Sequence, residues 1–274
     1  MRKRSRLRRR PHRHRKRRNP SSSKPRYHNH PHPIVSVIIP AMNESRTIQG
    51  AVAEAFAVHP CSEVIVVANG CTDATAALAK AMGARVLEFE APLGHDVPRR
   101  YGAEAAKGDI LLFTDGDMVI PAEDLRPYVS AVFHGVDVAL NGYPGPRKQR
   151  PVHPVVLAKH VLNVMLARPD LGGASLTAVP HALSWRAARA IGLDALGTPP
   201  LAQAAAVMLG LDIKAVHTVA VGRMNRKRRR PGSGDDPLTA LVAGDHLEAV
   251  GLLTDSLGSR GGFPDLNRLR DKLR

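Results

Sequence analysis

The sequence predicts an α/β protein in which a mostly parallel sheet is covered by helices on both faces. Between residues 34 and 142, short runs of β-branched and aliphatic residues alternate with segments whose apolar residues recur at helical spacing. This alternation is typical of βαβ units, whose crossover helices cover the sheet. Polar residues follow several predicted strands, at the sheet edge where such folds bind ligands. We therefore expect a Rossmann-like, nucleotide-binding layout.

The first half of the chain, residues 34–142, contains five predicted strands. The first is the apolar run 34–39, which ends at Pro40. A helical pattern follows behind Asn43, a residue type that often caps helices. Further strands are predicted at 63–68, 85–89, 109–117 and 136–142, with helices at 72–82, 98–108 and 123–133 between them.

The second half, residues 143–274, has a less regular pattern and begins with a Pro-rich basic linker over 143–154. We expect it to form a smaller α/β region with C-terminal helices. Helices are predicted at 154–167, 184–192, 201–209 and near 237–258, strands at 174–183 and 212–221, and a basic run occupies 223–234.

The positive charge of the chain is concentrated in its first 33 residues. The chain has 40 Lys and Arg against 24 Asp and Glu, and residues 1–33 hold 14 of the basic residues but none of the acidic ones. Because this tail has few apolar residues, we expect it to be disordered. It can bind an anionic membrane surface, bind nucleic acid non-specifically, or only solubilise the chain.

The location of the protein is predicted from its apolar segments. No apolar segment of the length of a signal-peptide core follows the charges before Ile34, and none in the chain has the length of a membrane span. We therefore expect a cytoplasmic protein, held peripherally at the inner face of the membrane if the tail binds lipid. Cys61 and Cys71 lack the number and spacing of a disulfide framework or a metal motif.

Three clusters of polar residues follow the first, second and fourth predicted strands, at 40–44, 69–73 and 115–117. In the last cluster, Asp115 and Asp117 are two residues apart, so in an extended segment they point to one side. Gly116 between them lets the backbone approach a ligand closely. Paired carboxylates are ligands that suit Mg²⁺ or Mn²⁺. We therefore predict that Asp115 and Asp117 hold a divalent cation.

Four segments, IVSVIIPAMNE, EVIVVANGCTDAT, RRYGAEAAKGD and ILLFTDGD, resemble those of the family 2-like glycosyltransferases in order and spacing. The resemblance covers about residues 34–142 and implies the GT-A fold. It also implies transfer of a sugar from a nucleoside-diphosphate sugar to a hydroxyl acceptor, with Mn²⁺ or Mg²⁺ under the diphosphate. Residues 34–142 are then the nucleotide-sugar-binding half, and residues 143–274 the acceptor side. Asp117 counts as catalytic because the leaving group depends on the cation.

The resemblance also implies which residues surround the donor. Ala68 stands where the family frequently has Asp, which leaves the donor base open. Helix capping is the alternative role for Asn43 and Asp73. The implied donor-binding residues are Pro40, Asn43, Glu44, Asn69, Asp73 and Arg99.

The carboxylate that serves as the catalytic base in inverting members is missing from its expected stretch. Residues 197–210 contain neither Asp nor Glu. The remaining candidates for the base are Asp194, His181, Asp245 and His246. The absence also permits a retaining mechanism, as in the glucosyl-3-phosphoglycerate synthase-like enzymes. In those enzymes a late His can join the metal shell, a place that His181 or His217 matches.

Three other functions are open to a chain of this kind. A sugar-phosphate nucleotidyltransferase would favour a Gly-rich basic loop after the first strand, where this chain has PAMNES. A degenerate transferase is consistent with the missing base. A nucleic-acid-binding protein would act through the basic tail, but aromatic residues make up 4% of the chain and the rest is nearly neutral.

Overall fold

The central sheet is seen in a computed structural model that describes residues 26–146, 150–224 and 237–269. Most of the predicted basic run at 223–234 and part of the basic linker lie outside the described residues. The strands are β1 (Val35–Ala41), β2 (Ser62–Asn69), β3 (Arg85–Phe89), β4 (Ile110–Phe113), β5 (Val138–Asn141), β6 (His181–Ser184) and β7 (Ile213–His217). Their order across the sheet is β3-β2-β1-β4-β6-β5-β7.

Helices connect these strands. Two short 3-10 turns, Pro169–Leu171 and Leu193–Gly197, precede β6 and α7. The helices are α1 (Ile48–Phe56), α2 (Thr75–Met82), α3 (Val97–Ala105), α4 (Ala122–Phe133), α5 (Pro154–Met165), α6 (Trp185–Ile191), α7 (Pro199–Met208), α8 (Val221–Met224) and α9 (Pro237–Leu257).

The sheet is mostly parallel, which confirms the predicted α/β class. Strands β2 and β4 run parallel to β1 on its two sides, and β3 and β7 run parallel to β2 and β5. The exception is β6, which is antiparallel to both β4 and β5 and places His181 opposite Phe113. The carboxyl ends of β1, β2 and β4 therefore meet at one edge.

The apolar core lies on both faces of the sheet. Along β1, Val37 and Ile39 belong to the cluster under α1, α2 and α4, whereas Ile38 belongs to the cluster under α3, α6 and α7. This alternation follows from the period of two along a strand. A third cluster joins Leu162 of α5 to Leu253 of α9. Helices on both faces explain why β1, β2 and β4 are buried along almost their whole length.

Two element boundaries differ from the sequence prediction in ways that matter for the site. Helix α1 begins at Ile48 rather than behind Asn43, because residues 43–47 form a loop in which Asn43 has φ of 59°, a conformation that Asn tolerates. Strand β4 ends at Phe113, so residues 115–117 lie in a turn rather than in the predicted extended segment.

Residues 26–33, expected to be part of a disordered tail, lie against the first half of the fold. The Tyr27 ring stacks on Phe56 with centroids 5.1 Å apart. The Tyr27 N–H donates to the Met82 carbonyl oxygen at 2.9 Å, and Asn29 Oδ1 accepts from the Val64 N–H at 2.8 Å. The expectation of disorder therefore does not hold for these eight residues.

Among the described helices, none is both long enough and apolar enough to cross a membrane.

Candidate active site

The turn at residues 115–117 packs directly against the end of β1. The Gly116 N–H donates to the Pro40 carbonyl oxygen at 3.0 Å. A Cβ atom at position 116 would lie 2.9 Å from the Ala41 Cβ, so only glycine fits without a shift. Asp115 and Asp117 are half-buried on either side of this contact. The predicted metal ligands therefore lie beside the loop that follows β1.

Arg99 reaches the same turn from α3. It is 4% exposed, and its guanidinium contacts the buried carboxylate of Asp96. Its Nη2 lies 3.3 Å from Asp115 Oδ1. The structure thus brings Arg99 to the site, as the sequence predicts for a donor-binding residue. Asp96 was not predicted, because it stands before a helix like an ordinary cap; in the structure it forms no cap hydrogen bond.

The loops after β1 and β2 are joined by two polar side chains. Asn43 Oδ1 accepts from the Thr72 N–H at 2.8 Å. Asp73 accepts from the Ser45 N–H at 3.1 Å and from the Thr75 N–H at 2.9 Å. The bond to Thr75 at the start of α2 is a capping contact, whereas Asn43 bridges two loops instead of capping α1.

These contacts change the acidity of Asp73. Its limited burial acts to raise the pKa, but the hydrogen bonds from Thr75 and Ser45 outweigh it and hold the pKa at about 2. Asp73 is therefore ionised at neutral pH and stays so to a lower pH than an ordinary Asp. The Thr75 hydroxyl also accepts from the Glu44 N–H at 2.7 Å, which places Glu44 in the same loop contact.

Asn69, at the end of β2, holds a third loop. It is 6% exposed, its Nδ2 donates to the Gly94 carbonyl oxygen at 2.9 Å, and its Oδ1 accepts from the Leu93 N–H at 2.6 Å. Both ends of the amide are thus used inside the protein. Asn69 shapes the loop that leads to α3 and Arg99.

The Asp115 and Asp117 pair fits a divalent cation of the Mg²⁺ or Mn²⁺ type. Both offer hard oxygen ligands in a turn at a strand end, and such ions commonly use one or two carboxylates plus substrate phosphates. Within the described ranges, no group of three or more His, Cys, Asp or Glu forms a metal site by itself. A cation here would therefore depend on the diphosphate and water for its other ligands.

The two late histidines have partners of their own. His181 is 2% exposed, stacks on Phe113 at 5.0 Å, and its Nδ1 lies 3.0 Å from the Ala178 carbonyl oxygen. Burial, with the charge of Arg99, lowers its pKa to about 3. His217 Nε2 lies 2.9 Å from Asp124 Oδ1. These contacts give the predicted role in the metal shell no support.

The other candidates for the base also have structural contacts. Asp194 is exposed and lies 2.7 Å from Arg100 Nη1. Asp245 and His246 are on α9, where His246 is buried and its Nδ1 lies 2.6 Å from the Val242 carbonyl oxygen. The pKa of Asp245 is raised by burial and by Glu248.

Gln203 occupies the stretch in which a carboxylate was expected, and it is 1% exposed. Its Nε2 donates to Asn163 Oδ1 at 2.6 Å, and its Oε1 accepts from the Leu176 N–H at 2.9 Å. Asn163 in turn donates to the carbonyl oxygens of Gly172 and Ala174, both at 2.9 Å. This amide network fixes the loop before β6. The sequence contains these amide residues but did not predict that they contact each other.

A small internal cavity separates Arg99 from α7. Its lining is mostly apolar and has no carboxylate. The residues around it are Arg99, Phe113, Leu176, His181, Leu196, Pro199 and Ala202.

The described arrangement can be compared with known proteins. Residues 36–154 match the model of glycosyl transferase family 2. We call residues 36–154 the family 2 segment. The family 2 segment contains the loops after β1 and β2, Arg99 and the Asp-Gly-Asp turn, which are the parts of the site that the sequence predicted together.

Curated relatives of the family 2 segment come from archaea and bacteria. Glycosyltransferase AglD of Haloferax volcanii is 34% identical over 119 residues, which are 39% of this chain and 19% of the relative. Glucosyl-3-phosphoglycerate synthase of Mycolicibacterium smegmatis is 37% identical over 99 residues, 32% of each chain. The matched segments thus span a third or less of these relatives.

Solved structures extend the likeness beyond the family 2 segment. Glucosyl-3-phosphoglycerate synthase of Mycobacterium tuberculosis, in complex with Mn²⁺, UDP and phosphoglyceric acid, has a TM-score of 0.58 at 24% identity. The match covers 85% of this chain and 80% of that one. A complex of the same enzyme with Mn²⁺, UDP-glucose and phosphoglyceric acid gives 0.59 at 23%. The predicted GT-A fold is confirmed.

Proposed function

We propose that this protein is a metal-dependent glycosyltransferase that moves a sugar from a nucleoside-diphosphate sugar to a hydroxyl acceptor. The observation that carries the proposal is the Asp115-Gly116-Asp117 turn, packed against the end of β1 and contacted by the buried Arg99. This arrangement lies in a family 2 segment with the GT-A fold.

The chain's own residues supply binding and positioning. Asp115 and Asp117 would hold Mn²⁺ or Mg²⁺, which supplies Lewis-acid neutralisation of the leaving diphosphate when bound. Arg99 adds a buried positive charge beside Asp115, where it can also attract a phosphate oxygen. Asn43, Asp73 and Asn69 hold the surrounding loops in place. Pro40 lies near the end of β1, and Glu44 lies in the loop that follows it.

UDP is the nucleotide that we propose first, with Mn²⁺ as its metal. The support is the likeness to structures of glucosyl-3-phosphoglycerate synthase in complex with these two ligands. Ala68 is 2% exposed and provides no polar group to a base. Other nucleoside diphosphates therefore belong in the same experiment.

We propose a retaining mechanism, in which no protein carboxylate acts as base. Residues 197–210 lack Asp and Glu, and Gln203 in that stretch is bound to Asn163 and Leu176. Analysis of the anomeric configuration of the product by NMR tests this point. A product of inverted configuration would contradict it.

A second binding role is proposed for residues 1–25, which carry 13 Lys or Arg and no acidic residue. Each basic residue near an anionic bilayer contributes about 1 kcal/mol of attraction. We propose that this segment holds the enzyme peripherally at such a surface. Binding to nucleic acid is the competing outcome.

The experiment that tests the function is calorimetric titration with UDP, GDP, CDP or dTDP in the presence of Mn²⁺ or Mg²⁺. We expect metal-dependent binding of at least one of them, followed by metal-dependent hydrolysis of the corresponding nucleotide sugar. Failure of every pair to bind would exclude the proposal.

Further measurements on the same protein separate the alternative functions. Release of pyrophosphate from a nucleoside triphosphate and a sugar phosphate would identify a nucleotidyltransferase. Binding of the nucleotide with metal, without hydrolysis or transfer to any acceptor, would identify a degenerate transferase. Binding of nucleic acid alone would favour the non-enzymatic role of the tail.

A further inference from the structure

In the turn that carries Asp115 and Asp117, the relative position of the two carboxylates depends on the backbone at Gly116. Strand β4 ends at Phe113, before the turn begins. Gly116 lies between the two carboxylates, and glycine has more backbone freedom than any other residue. Without further contacts, rotation about Gly116 would change the distance between the two carboxylates.

Two hydrogen bonds remove this freedom. The Gly116 N–H donates to the Pro40 carbonyl oxygen at 3.0 Å. The Gly116 carbonyl oxygen accepts from the Thr47 hydroxyl at 2.6 Å. The first bond fixes the peptide plane that joins Asp115 to Gly116, and the second fixes the plane that joins Gly116 to Asp117. Each carboxylate is thus attached to a peptide plane that is held from outside the turn.

Thr47 uses its hydroxyl differently from most threonines in its position. It directly precedes α1, where a Thr side chain commonly accepts from an N–H of the first helical turn. No such bond is formed here. The hydroxyl lies 2.6 Å from the Gly116 oxygen and 3.3 Å from the Glu44 oxygen, and its single proton goes to the nearer acceptor. The start of α1 therefore lacks a side-chain cap, and its Thr holds the turn instead.

We propose that Thr47 is a positioning residue for the divalent-cation site, acting through the Gly116 carbonyl on Asp117. The inference rests on the proposed function, since it assumes that Asp115 and Asp117 bind a cation with the donor diphosphate. Residues that orient metal ligands from outside typically change metal affinity by 10- to 100-fold. Thr47 also belongs to the loop after β1, so it links the order of this loop to the geometry of the metal ligands.

The test compares Thr47→Val, which keeps the shape of the side chain without its hydroxyl, with Thr47→Ser, which keeps the hydroxyl. The measurement is the Mn²⁺ concentration that gives half-maximal binding of UDP, followed by calorimetry on the full chain. We expect this concentration to rise roughly tenfold in Thr47→Val and to stay near wild type in Thr47→Ser. Binding of UDP without metal should be equal in all three proteins.

A matched control is Thr254→Val on α9. Thr254 also donates its hydroxyl to a backbone carbonyl oxygen, that of Gly251, at 3.0 Å. Its loss should leave the Mn²⁺ requirement unchanged. If Thr47→Val does not fold, as judged by thermal melting without metal, Thr47→Ala takes its place, because both remove the hydroxyl.

The outcomes separate the inference from the proposed function. If wild type binds Mn²⁺ and UDP together, and Thr47→Val needs no more Mn²⁺ than wild type, the role of Thr47 is wrong while the function stands. An equal loss in Thr47→Ser and Thr47→Val would also overturn the inference, because the hydroxyl would not be the cause. Absence of metal-dependent nucleotide binding in wild type would reject the function and the inference with it.

Discussion

The loops of the first half and those of the second half are held by different chemistry. In residues 34–142, carboxylates act beside the amides of Asn43 and Asn69. Asp73 joins the loops after β1 and β2, and Asp96 pairs with the buried Arg99. In the second half, the loop before β6 is held by the neutral amides of Asn163 and Gln203. Among these loop contacts, the ones that involve a carboxylate lie where we expect a diphosphate and a cation, and the loop before β6, where we expect the acceptor, is held by amides.

The largest effect is expected from a substitution at the proposed cation site in residues 34–142, which we call the charged half. We expect Asp117→Asn to weaken Mn²⁺-dependent UDP binding by more than about 100-fold, because a direct ligand should cost at least as much as a residue that only orients one. Sugar transfer should be lost with it. The unfolding free energy should change by less than about 0.5 kcal/mol, since Asp117 is half-buried in a turn and its loss leaves no core cavity.

The control for this variant is Asp212→Asn. Asp212 pairs with Lys214 at the surface of the second half, at 2.8 Å, and should bind neither metal nor nucleotide. Equal Mn²⁺ dependence in Asp117→Asn and wild type would mean that the charged half does not hold the cation.

The amide contacts of the second half, residues 143–274, are tested by Gln203→Ala. The substitution leaves the Leu176 N–H and Asn163 Oδ1 without their partner in a buried site, which should cost about 1–3 kcal/mol of unfolding free energy. Binding of UDP with Mn²⁺ should be unchanged. Urea unfolding and calorimetry measure the two quantities.

Gln203→Glu sharpens this test because it restores a carboxylate to the stretch that lacks one. A carboxylate cannot donate to Asn163 Oδ1, so we expect destabilisation and no gain in transfer. The exposed Gln49 of α1 provides the control, since Gln49→Ala should have little effect on stability. Higher turnover in Gln203→Glu would show that the position belongs to the catalytic base.

The same difference explains what could be predicted from the sequence. Strands β2 and β3 were predicted to within one residue, because their apolar runs are bounded by turn residues. The predicted strand at 174–183 was mostly wrong, since only His181–Ser184 forms β6 and the preceding residues are held as a loop by Asn163 and Gln203. The hydrogen bonds of Asn163 and Gln203 with this loop join residues that are not neighbours in the chain, so no local pattern in the sequence reveals them.

The site follows the same division. Asp115, Asp117 and Arg99 were predicted because they follow strands or begin a helix in a recognisable order. Thr47 was not predicted, because its side chain contacts Gly116, which is 69 positions away in the chain. Asp96 was not predicted either, because only the fold turns its side chain towards Arg99, three positions away. The roles of Asp194, His181, Asp245 and His246 stay predictions.

Removal of the N-terminal tail, which precedes the first half of the fold, should have a smaller effect. A chain that begins at Arg26 should keep its stability and its nucleotide binding but lose salt-sensitive binding to anionic vesicles, because 13 basic residues are removed. A chain that begins at Ile34 should in addition lose about 1–2 kcal/mol, because it lacks the Tyr27 stack on Phe56 and the Asn29 hydrogen bond. Vesicle sedimentation and thermal melting measure the two losses. Unchanged vesicle binding in the shorter chains would exclude the proposed membrane role.

The smallest expected effect is the pH dependence that Asp73 gives to the stability of the fold. The pKa of Asp73 is about 2 in the folded protein, against an ordinary value of 3.8, because hydrogen bonds from Thr75 and Ser45 outweigh the opposite effect of burial. A lowered pKa stabilises the fold at pH values above 3.8, and this contribution is lost as the pH falls from 3.8 to 2. The difference in unfolding free energy between wild type and Asp73→Asn should therefore shrink over that window. The difference between wild type and Gln203→Ala should not shrink, because amides do not titrate.

NMR titration of the Asp73 carboxyl gives the midpoint of its titration directly. Thr75→Val should raise this midpoint, because the substitution removes the hydroxyl that donates to Asp73. A midpoint of 3.8 in wild type would show that the loops after β1 and β2 do not depend on this charge.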